Sequence, residues 1–459
     1  NRIAGPQRRI QCVMPISFAD AKKTQYRTKH AMCQGHPSFN LRFWGGTAKA
    51  FWNNVGPCRE RCGIPGAPYP IPKGGHVDSH QSRRQFLQAG LALPAAGLVS
   101  SKNSDAPYQS GAGSPGVVYR TLGKTGLKVT GVGYGIGFVP VTDVVARAID
   151  MGINYYDTSR DYGESEKIFA GVIRGKRDRI VIASKSGRTK KAHILEDLDT
   201  TLQVLGTDHV DIWHLHGRDT PAMVPDESIE ALELCKKSGK ARFIGFSCHD
   251  VNNMVPFILK TGKFDVIQTT YSFPIGGRYR EQAVAKLHEA GIGVIAMKVV
   301  VALSGFNLKT VENPPARPNG DGPVAGIKWV LQNPAIGTTV PNMRTIPQLE
   351  MNFRAMSEPY TAADEKLLTR LNEQIRPDYC RMCYECKGVC PKGVPVAEVL
   401  RFLSYNDFYG DYHRAVVSFR GLGREIRDVR CAECAECVVR CPNGVHVQDR
   451  LMRAQQLLA

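Results

Sequence analysis

Two sets of side chains in this sequence are spaced for chemistry. The first is a pair of cysteine quartets, Cys380-x2-Cys383-x2-Cys386-x3-Cys390-Pro391 and Cys431-x2-Cys434-x2-Cys437-x3-Cys441-Pro442. A cubane cluster needs four thiolates wrapped closely around it, and this spacing draws three from one loop while the fourth opens a helix. Two [4Fe-4S] clusters are expected, with a pair of four-cysteine zinc sites as the alternative. Eight of 14 cysteines in so short a stretch point to metal rather than disulfides. Cys12, Cys33, Cys58 and Cys62 match no zinc-finger spacing and are read as chance. The second set is ionisable. Asp157 follows the strand-like run 153–156, Lys185 ends the run 179–184, and His216 follows the run 210–215. Tyr162 lies in the loop after Asp157.

The elements that must position these groups alternate. A hairpin over 117–130, turning at Gly123 and Gly126, is followed by strand candidates at 132–135, 153–156, 179–184, 210–215, 242–246, 266–269, 294–297 and 337–340. Helix-like segments at 141–150, 164–173, 192–205, 227–237 and 280–290 fall between them. Eight β then α units in residues 117–376 match the count and size of a closed (β/α)8 TIM barrel. A doubly wound sheet is the runner-up, but no strand runs into a G-x-G-x-x-G turn. In such barrels the chemistry sits at the C-terminal strand ends, where Asp157, Lys185 and His216 fall. His214 is read as a packed core histidine. Residues 377–459 form a second, small iron-sulfur domain with a helix at 396–403.

The run Asp157-Thr158-Ser159-Arg160-Asp161-Tyr162-Gly163-Glu164-Ser165-Glu166 resembles the signature of the aldo-keto reductase family, and Lys185 and His216 match the other two positions of that family's tetrad. The resemblance covers the whole barrel. It implies an NAD(P)-dependent oxidoreductase interconverting a carbonyl and an alcohol on a small substrate by hydride transfer. Negative charge that builds on the carbonyl oxygen needs a proton donor. Tyr162 would be that donor, made a readier one by the ammonium of Lys185. Asp157 would pair with Lys185, since an unpaired buried ammonium is costly, and His216 would orient the carbonyl oxygen. By the same resemblance Ser247 and Gln268 would contact the nicotinamide carboxamide, while Arg344, Gln348 and Asn352 fall in the adenosine-binding segment. Cys248 stands where the family often has Asn, and Asn342 and Gln348 replace two basic positions. Arg344 remains to bind a 2′-phosphate, so NADP is favoured over NAD. Strand seven ends in Met297-Lys298, without the usual aromatic that stacks on the nicotinamide.

The quartets resemble those of a two-cluster ferredoxin. That implies crossed ligation, Cys380, Cys383 and Cys386 with Cys441, and Cys431, Cys434 and Cys437 with Cys390, although the segment 391–430 is longer than a simple ferredoxin hairpin. The whole resembles bacterial members of the reductase family with a ferredoxin-like tail. Clusters that relay electrons to a transfer partner are expected. The alternatives are an iron-sulfur electron-transfer protein and a non-catalytic accessory subunit, each with a tightly bound nucleotide.

The net charge of +18 is uneven, because residues 1–84 hold 14 Lys and Arg against 3 Asp and Glu. The body is mildly basic, which argues against nucleic-acid binding. No apolar run reaches the roughly 18 residues of a membrane span. Ser82-Arg83-Arg84-Gln85-Phe86-Leu87, the small-residue run 89–99 and a polar linker to residue 115 read as a signal peptide and linker, 77–115, that resembles a twin-arginine export signal. Residues 1–76 are expected to be a spurious or disordered extension, with Val77 the start. Export to the periplasm by the twin-arginine machinery carries folded, cofactor-loaded proteins. Free NADP is scarce outside the cytoplasm, so a cytoplasmic location is the alternative. The substrate loops are expected at 302–323 and after His216 and Tyr271.

Overall fold

The computed structural model describes residues 42–44, 47–49, 116–137, 140–275, 278–300, 303 and 321–459. The expected signal peptide 77–115, Cys12, Cys33, Cys58, Cys62 and most of the expected substrate loop 302–323 lie outside the described residues. The chain divides into a unit of residues 1–101 and a unit of residues 102–459. Within the first, β1 (Arg42–Trp44) pairs antiparallel with β2 (Thr47–Lys49).

The second unit begins with a hairpin of β3 (Tyr119–Thr121) and β4 (Lys128–Thr130). A run of β then α units follows: β5 (Tyr134–Gly135), α1 (Thr142–Asp150), β6 (Tyr155–Asp157), α2 (Ser165–Ile173), β7 (Val181–Ser186), α3 (Lys191–Leu205), β8 (Val210–Leu215) and α4 (Asp226–Lys237). It continues through β9 (Ala241–Cys248), α5 (Val251–Thr261), β10 (Val266–Thr270), α6 (Arg278–Glu289), β11 (Gly293–Met297), α7 (Gly322–Leu331), β12 (Ile336–Thr339), α8 (Ile346–Arg354) and α9 (Ala362–Ile375). Strands β5 to β12 pair in chain order, all parallel. A parallel bridge of Val132 to Thr339, with Gly133 N donating to Thr339 O at 2.8 Å, closes the sheet on itself. The result is the expected eight-stranded barrel.

The barrel interior is apolar at the end where the strands begin. Leu122 and Val129 of the hairpin pack with Tyr155, Val181, Ala183, Ile212, Val266 and Ile295 and plug that end. Gly123 allows the plug to seat, because a Cβ there would lie 2.3 Å from Gly293 N. The main core is the layer between strands and helices, from Val145 and Phe169 to Trp213, Phe264 and Trp329.

Beyond α9 the chain forms a smaller bundle. Helix α10 (Val396–Asp407) packs on α11 (Tyr412–Arg420) and on α13 (Val447–Leu458), with the short α12 (Arg424–Arg427) between. Its core runs through Tyr379, Leu403, Phe408, Phe419 and Leu451 and includes Ile275 from the loop after β10, so barrel and bundle share apolar contacts. Asp407 is fully buried and pairs with Arg450 and Arg453, which fixes α10 to α13. No described helix is long and apolar enough to cross a membrane.

Candidate functional site

Successive side chains on a strand alternate between faces, so a residue at a strand's C-terminal end that points inward faces the barrel mouth. Asp157 ends β6, and Lys185 lies one residue from the end of the neighbouring β7. Lys185 Nζ donates to Asp157 Oδ1 at 2.6 Å, to Oδ2 at 2.7 Å and to Thr158 O at 2.8 Å. Both side chains are almost wholly buried. Three partners for one buried ammonium is what its removal from water demands.

The chain between Asp157 and α2 is held by neighbours on both sides. Thr158 N donates to Ala183 O and Arg160 N to Lys185 O, which extend the ladder, and Tyr162 N then turns back onto Ser159 O. Glu166, buried beneath, accepts from Ser184 and Thr201 and pairs with Arg160. These contacts bring Tyr162 beside Lys185, whose Nζ stands 5.8 Å from the ring centroid. The Tyr162 and His216 rings meet edge to face at 5.5 Å.

His216 follows β8 and is anchored through Nδ1, 2.5 Å from Asp161 Oδ2 and 3.1 Å from Ser159 Oγ. Burial pulls its imidazole below the ordinary value, although Asp161 acts the other way. Burial opposes ionisation of Asp161, but His216 outweighs it and holds that carboxyl below the usual range. An ionised Asp161 assigns the proton to Nδ1 and leaves Nε2 as the acceptor nitrogen. His214, expected as core, is fully buried with neither nitrogen hydrogen-bonded, and burial drives its imidazole well below the ordinary value.

Residues 138–321 match the sequence profile of the "Aldo/keto reductase family". L-galactose dehydrogenase of Arabidopsis thaliana is 28% identical over 304 residues, 56% of this chain and 94% of that protein. An uncharacterised oxidoreductase of Bacillus subtilis, YqkF, is 30% identical over 196 residues, 39% of this chain and 63% of that one. The matched residues fall within the barrel, which is similar to an aldo/keto reductase domain. Among solved structures, the holo form of aldo-keto reductase AKR11C1 from Bacillus halodurans is 25% identical with a TM-score of 0.46, over 56% of this chain and 96% of that one.

All four tetrad positions read from the reductase signature therefore meet at one strand-end mouth. Gln268 of β10 joins them, donating to Asp157 Oδ2 at 3.2 Å, while its Oε1 is buried with no partner. Ser247 Oγ accepts from Gly217 N at 2.9 Å, so its own proton stays available. An orphaned acceptor and a free hydroxyl proton on adjacent strands fit the amide of a nicotinamide. Arg344, Gln348 and Asn352 lie after β12, and no contact joins them to the tetrad among the described residues. Gln348 Oε1 accepts from Arg344 N at 2.8 Å and so shapes the turn into α8, Asn352 is buried within that helix, and the Arg344 side chain is exposed.

The cysteines of the module gather in two groups that cross between the quartets. Cys380 lies within electrostatic reach of Cys383, Cys386 and Cys441, and Cys431 within reach of Cys390, Cys434 and Cys437. A reciprocal pair of backbone bonds, Lys387 with Arg440 at 2.9 Å each way, ties the quartets together. Met382 and Tyr384, between the first three cysteines, adopt left-handed φ of 52° and 59°. Burial and then crowding by the other thiols push Cys380 up to about 12. Such crowded thiols fit a cationic iron-sulfur core, which would relieve their repulsion. Among the described residues, no three His, Cys, Asp or Glu side chains close around a point as a single metal ion requires.

Several functional residues escaped the sequence reading. Arg414 of α11 acts electrostatically on both Tyr162 and His216, which places the module at the reductase mouth. Lys298, after β11, lies 5.1 Å from the ring centroid of Tyr405 and 4.8 Å from that of Tyr409. Arg280 donates to Thr270 O at 2.8 Å and to Met382 O at 2.5 Å, joining the barrel to the first cysteine loop. The stripe Arg401, Tyr405, Tyr409, at spacings of four residues, was a legible signal.

Proposed function

We propose that this chain interconverts a carbonyl and an alcohol on a small substrate by hydride transfer with NADP, or NAD, and that its C-terminal module holds two [4Fe-4S] clusters that pass electrons to a transfer partner. The observation that carries the first part is the buried Asp157 to Lys185 pair set against the Tyr162 ring. The nicotinamide would supply the hydride. Tyr162 donates the proton to the developing alkoxide, and the fixed positive charge of Lys185 stabilises the phenolate left behind. Asp157 and Thr158 O hold that charge in place. His216, tethered at Nδ1, presents Nε2 to the substrate oxygen. Ser247 and Gln268 receive the carboxamide, and exposed Arg344 is free to meet a 2′-phosphate. The intact tetrad disfavours the accessory-subunit reading.

The grouped cysteines support the clusters, which would supply one-electron transfer. The pair Arg83-Arg84 before Phe86-Leu87 supports export to the periplasm through the twin-arginine machinery.

The decisive test is Tyr162→Phe in anaerobically purified protein, followed by NADPH-dependent reduction of a panel of small aldehydes. Loss of about a hundredfold to ten-thousandfold in kcat with unchanged nucleotide affinity is expected; wild-type rates would remove Tyr162 from the chemistry. Eight irons with matching sulfide, and bleaching of the visible spectrum on adding NADPH, would join nucleotide and clusters in one electron path. Zero iron with bound zinc would overturn the cluster assignment.

A further inference from the structure

One buried cation joins the barrel to the cysteine module and has no part in the tetrad. Arg280 stands in the first turn of α6 and is 3% exposed. Its Nη1 donates to Thr270 O at 2.8 Å and to Thr270 Oγ1, and its Nη2 donates to Met382 O at 2.5 Å. Met382 lies between Cys380 and Cys383, so a barrel guanidinium reaches into the first cysteine loop. The groups that act on its charge are, in falling order, Asp250, Cys248, Cys383 and Tyr384. Asp250 caps α5, where it accepts from Asn253 N at 3.3 Å, and burial pushes its carboxyl up to about 6. The carbonyls and the hydroxyl solvate the guanidinium without cancelling its charge, and Asp250 offsets it in part.

The same cysteine group has donors aimed at its sulfurs. Met382 N donates to Cys380 Sγ at 3.4 Å, and Asn443 Nδ2 donates to Cys383 Sγ at 3.2 Å. Asn443 is held for this by Arg381, whose Nη1 donates to its Oδ1 at 2.8 Å while Nη2 donates to Asn372 Oδ1 at 2.9 Å. The second group is placed differently. Cys431 N and Cys437 N donate to Gln455 and Gln448, and the cation that acts on Cys431 is the exposed Lys392. Acidic residues stand near both groups. Glu385 acts on Cys383 and Glu398 on Cys386, while Glu433 and Glu436 lie in the second loop.

An iron-sulfur cluster gains negative charge on reduction, and its potential follows the net charge, the hydrogen bonds to sulfur and the solvent exposure around it. Burial alone makes that added charge harder to hold, but a cation in a low-dielectric interior counts far more than one in water. We propose that Arg280, a barrel residue, supplies the buried positive charge that makes the first cysteine group, Cys380, Cys383, Cys386 and Cys441, the more readily reduced of the two, so that a single electron on the module rests beside the barrel. This rests on the reading that both groups hold clusters, and it gives an order to their use.

The test is a redox titration of the full-length, cluster-loaded protein with dithionite as the electron donor, followed by electron paramagnetic resonance. It is run well above the value of about 6 at which Asp250 ionises. Wild type should show two one-electron midpoints. Arg280→Gln should move the oxidised-to-reduced ratio of the higher one about tenfold toward oxidised, or about 59 mV for one electron, and leave the lower one in place. Arg280→Lys should recover most of that shift. Asp250→Asn should move the same midpoint the opposite way, and it serves if the arginine variants do not hold their iron. Midpoints unmoved by Arg280→Gln, or by Asp250→Asn where only that variant can be measured, overturn the proposal. So does a shift confined to the lower midpoint, and so do equal shifts of both, which would report loosened packing rather than a charge beside one group. Protein with no iron overturns the cluster reading and the proposal with it, whereas eight irons whose midpoints ignore Arg280 leave that reading standing.

Discussion

The charge of Lys185 is the pivot of the site at the scale of single residues, and it is stable only because Asp157 accompanies it out of water. Asp157→Asn keeps the shape but leaves the ammonium buried beside a neutral amide. Breaking a buried pair from one side is expected to lower stability by about 3–5 kcal/mol, read from anaerobic denaturant unfolding; a loss under about 1 kcal/mol would mean that Lys185 is not charged in the fold. Tyr405 makes a second residue-scale prediction. Burial would raise its phenol, but Lys298, Arg414 and Arg401 together bring it down to about 7, with Tyr409 and Asp219 the other ionisable groups nearby. A phenolate absorbance titrating near pH 7, and missing in Tyr405→Phe, is expected. Because the unfolded phenol titrates near 10, the unfolded chain binds more protons between about 7 and 10. Stability from this group therefore rises with pH across that window and is lost as pH falls through 7. The four candidate residues could be picked from the sequence because Asp157, Lys185 and His216 fall at the ends of strands with a clear pattern and Tyr162 falls in the loop after Asp157. Arg414 and Tyr405 were not, since their role exists only once α10 and α11 fold back onto the mouth.

Strands and helices were read within a few residues, and the departures have local causes. The strand expected at 153–156 begins only at Tyr155, because Asn154 is occupied with the hairpin: its Oδ1 accepts from Thr130 N and its Nδ2 donates to Lys128 O. The strand expected from residue 179 begins at Val181, because Arg177 binds Ile180 O, Thr207 and Asp211 and forces a 3-10 turn over Arg177–Arg179. The helix expected at 396–403 continues to Asp407, whose bonds to Arg450 and Arg453 reward the extra turn. Neither these side-chain contacts nor the shared core of module and barrel leaves a periodic trace in the sequence. Gly245 gives the element-scale prediction. It pairs with Val266 across β9 and β10, and a Cβ would fall 1.7 Å from Val266 O. Gly245→Ala must push two barrel strands apart, so a loss of at least about 1–3 kcal/mol is expected, measured as soluble yield and unfolding midpoint. A wild-type midpoint would show that the barrel tolerates the shift.

At the scale of the whole molecule, the barrel mouth and the cysteine module are mechanically linked whether or not an electron passes between them. The first cysteine loop meets the barrel through Arg280 and Met382, Ile275 of the barrel sits in the module core, and α10 and α11 bring Tyr405 and Arg414 to the mouth. If the module holds the proposed clusters, metal binding is part of its folding free energy. Removing the clusters leaves crowded thiols that repel one another once ionised, so the loops around Cys380 and Cys431 should loosen and the helices between them should lose their seat. Carbonyl reduction is therefore expected to fall in proportion to iron content when the protein is treated anaerobically with a chelator, although no iron touches the substrate. Proteolysis should begin to cut within residues 377–459 over the same range, while the barrel stays intact. Full activity in iron-free protein would mean that the module holds its shape alone, and that the clusters serve electron transfer without bracing the reductase mouth.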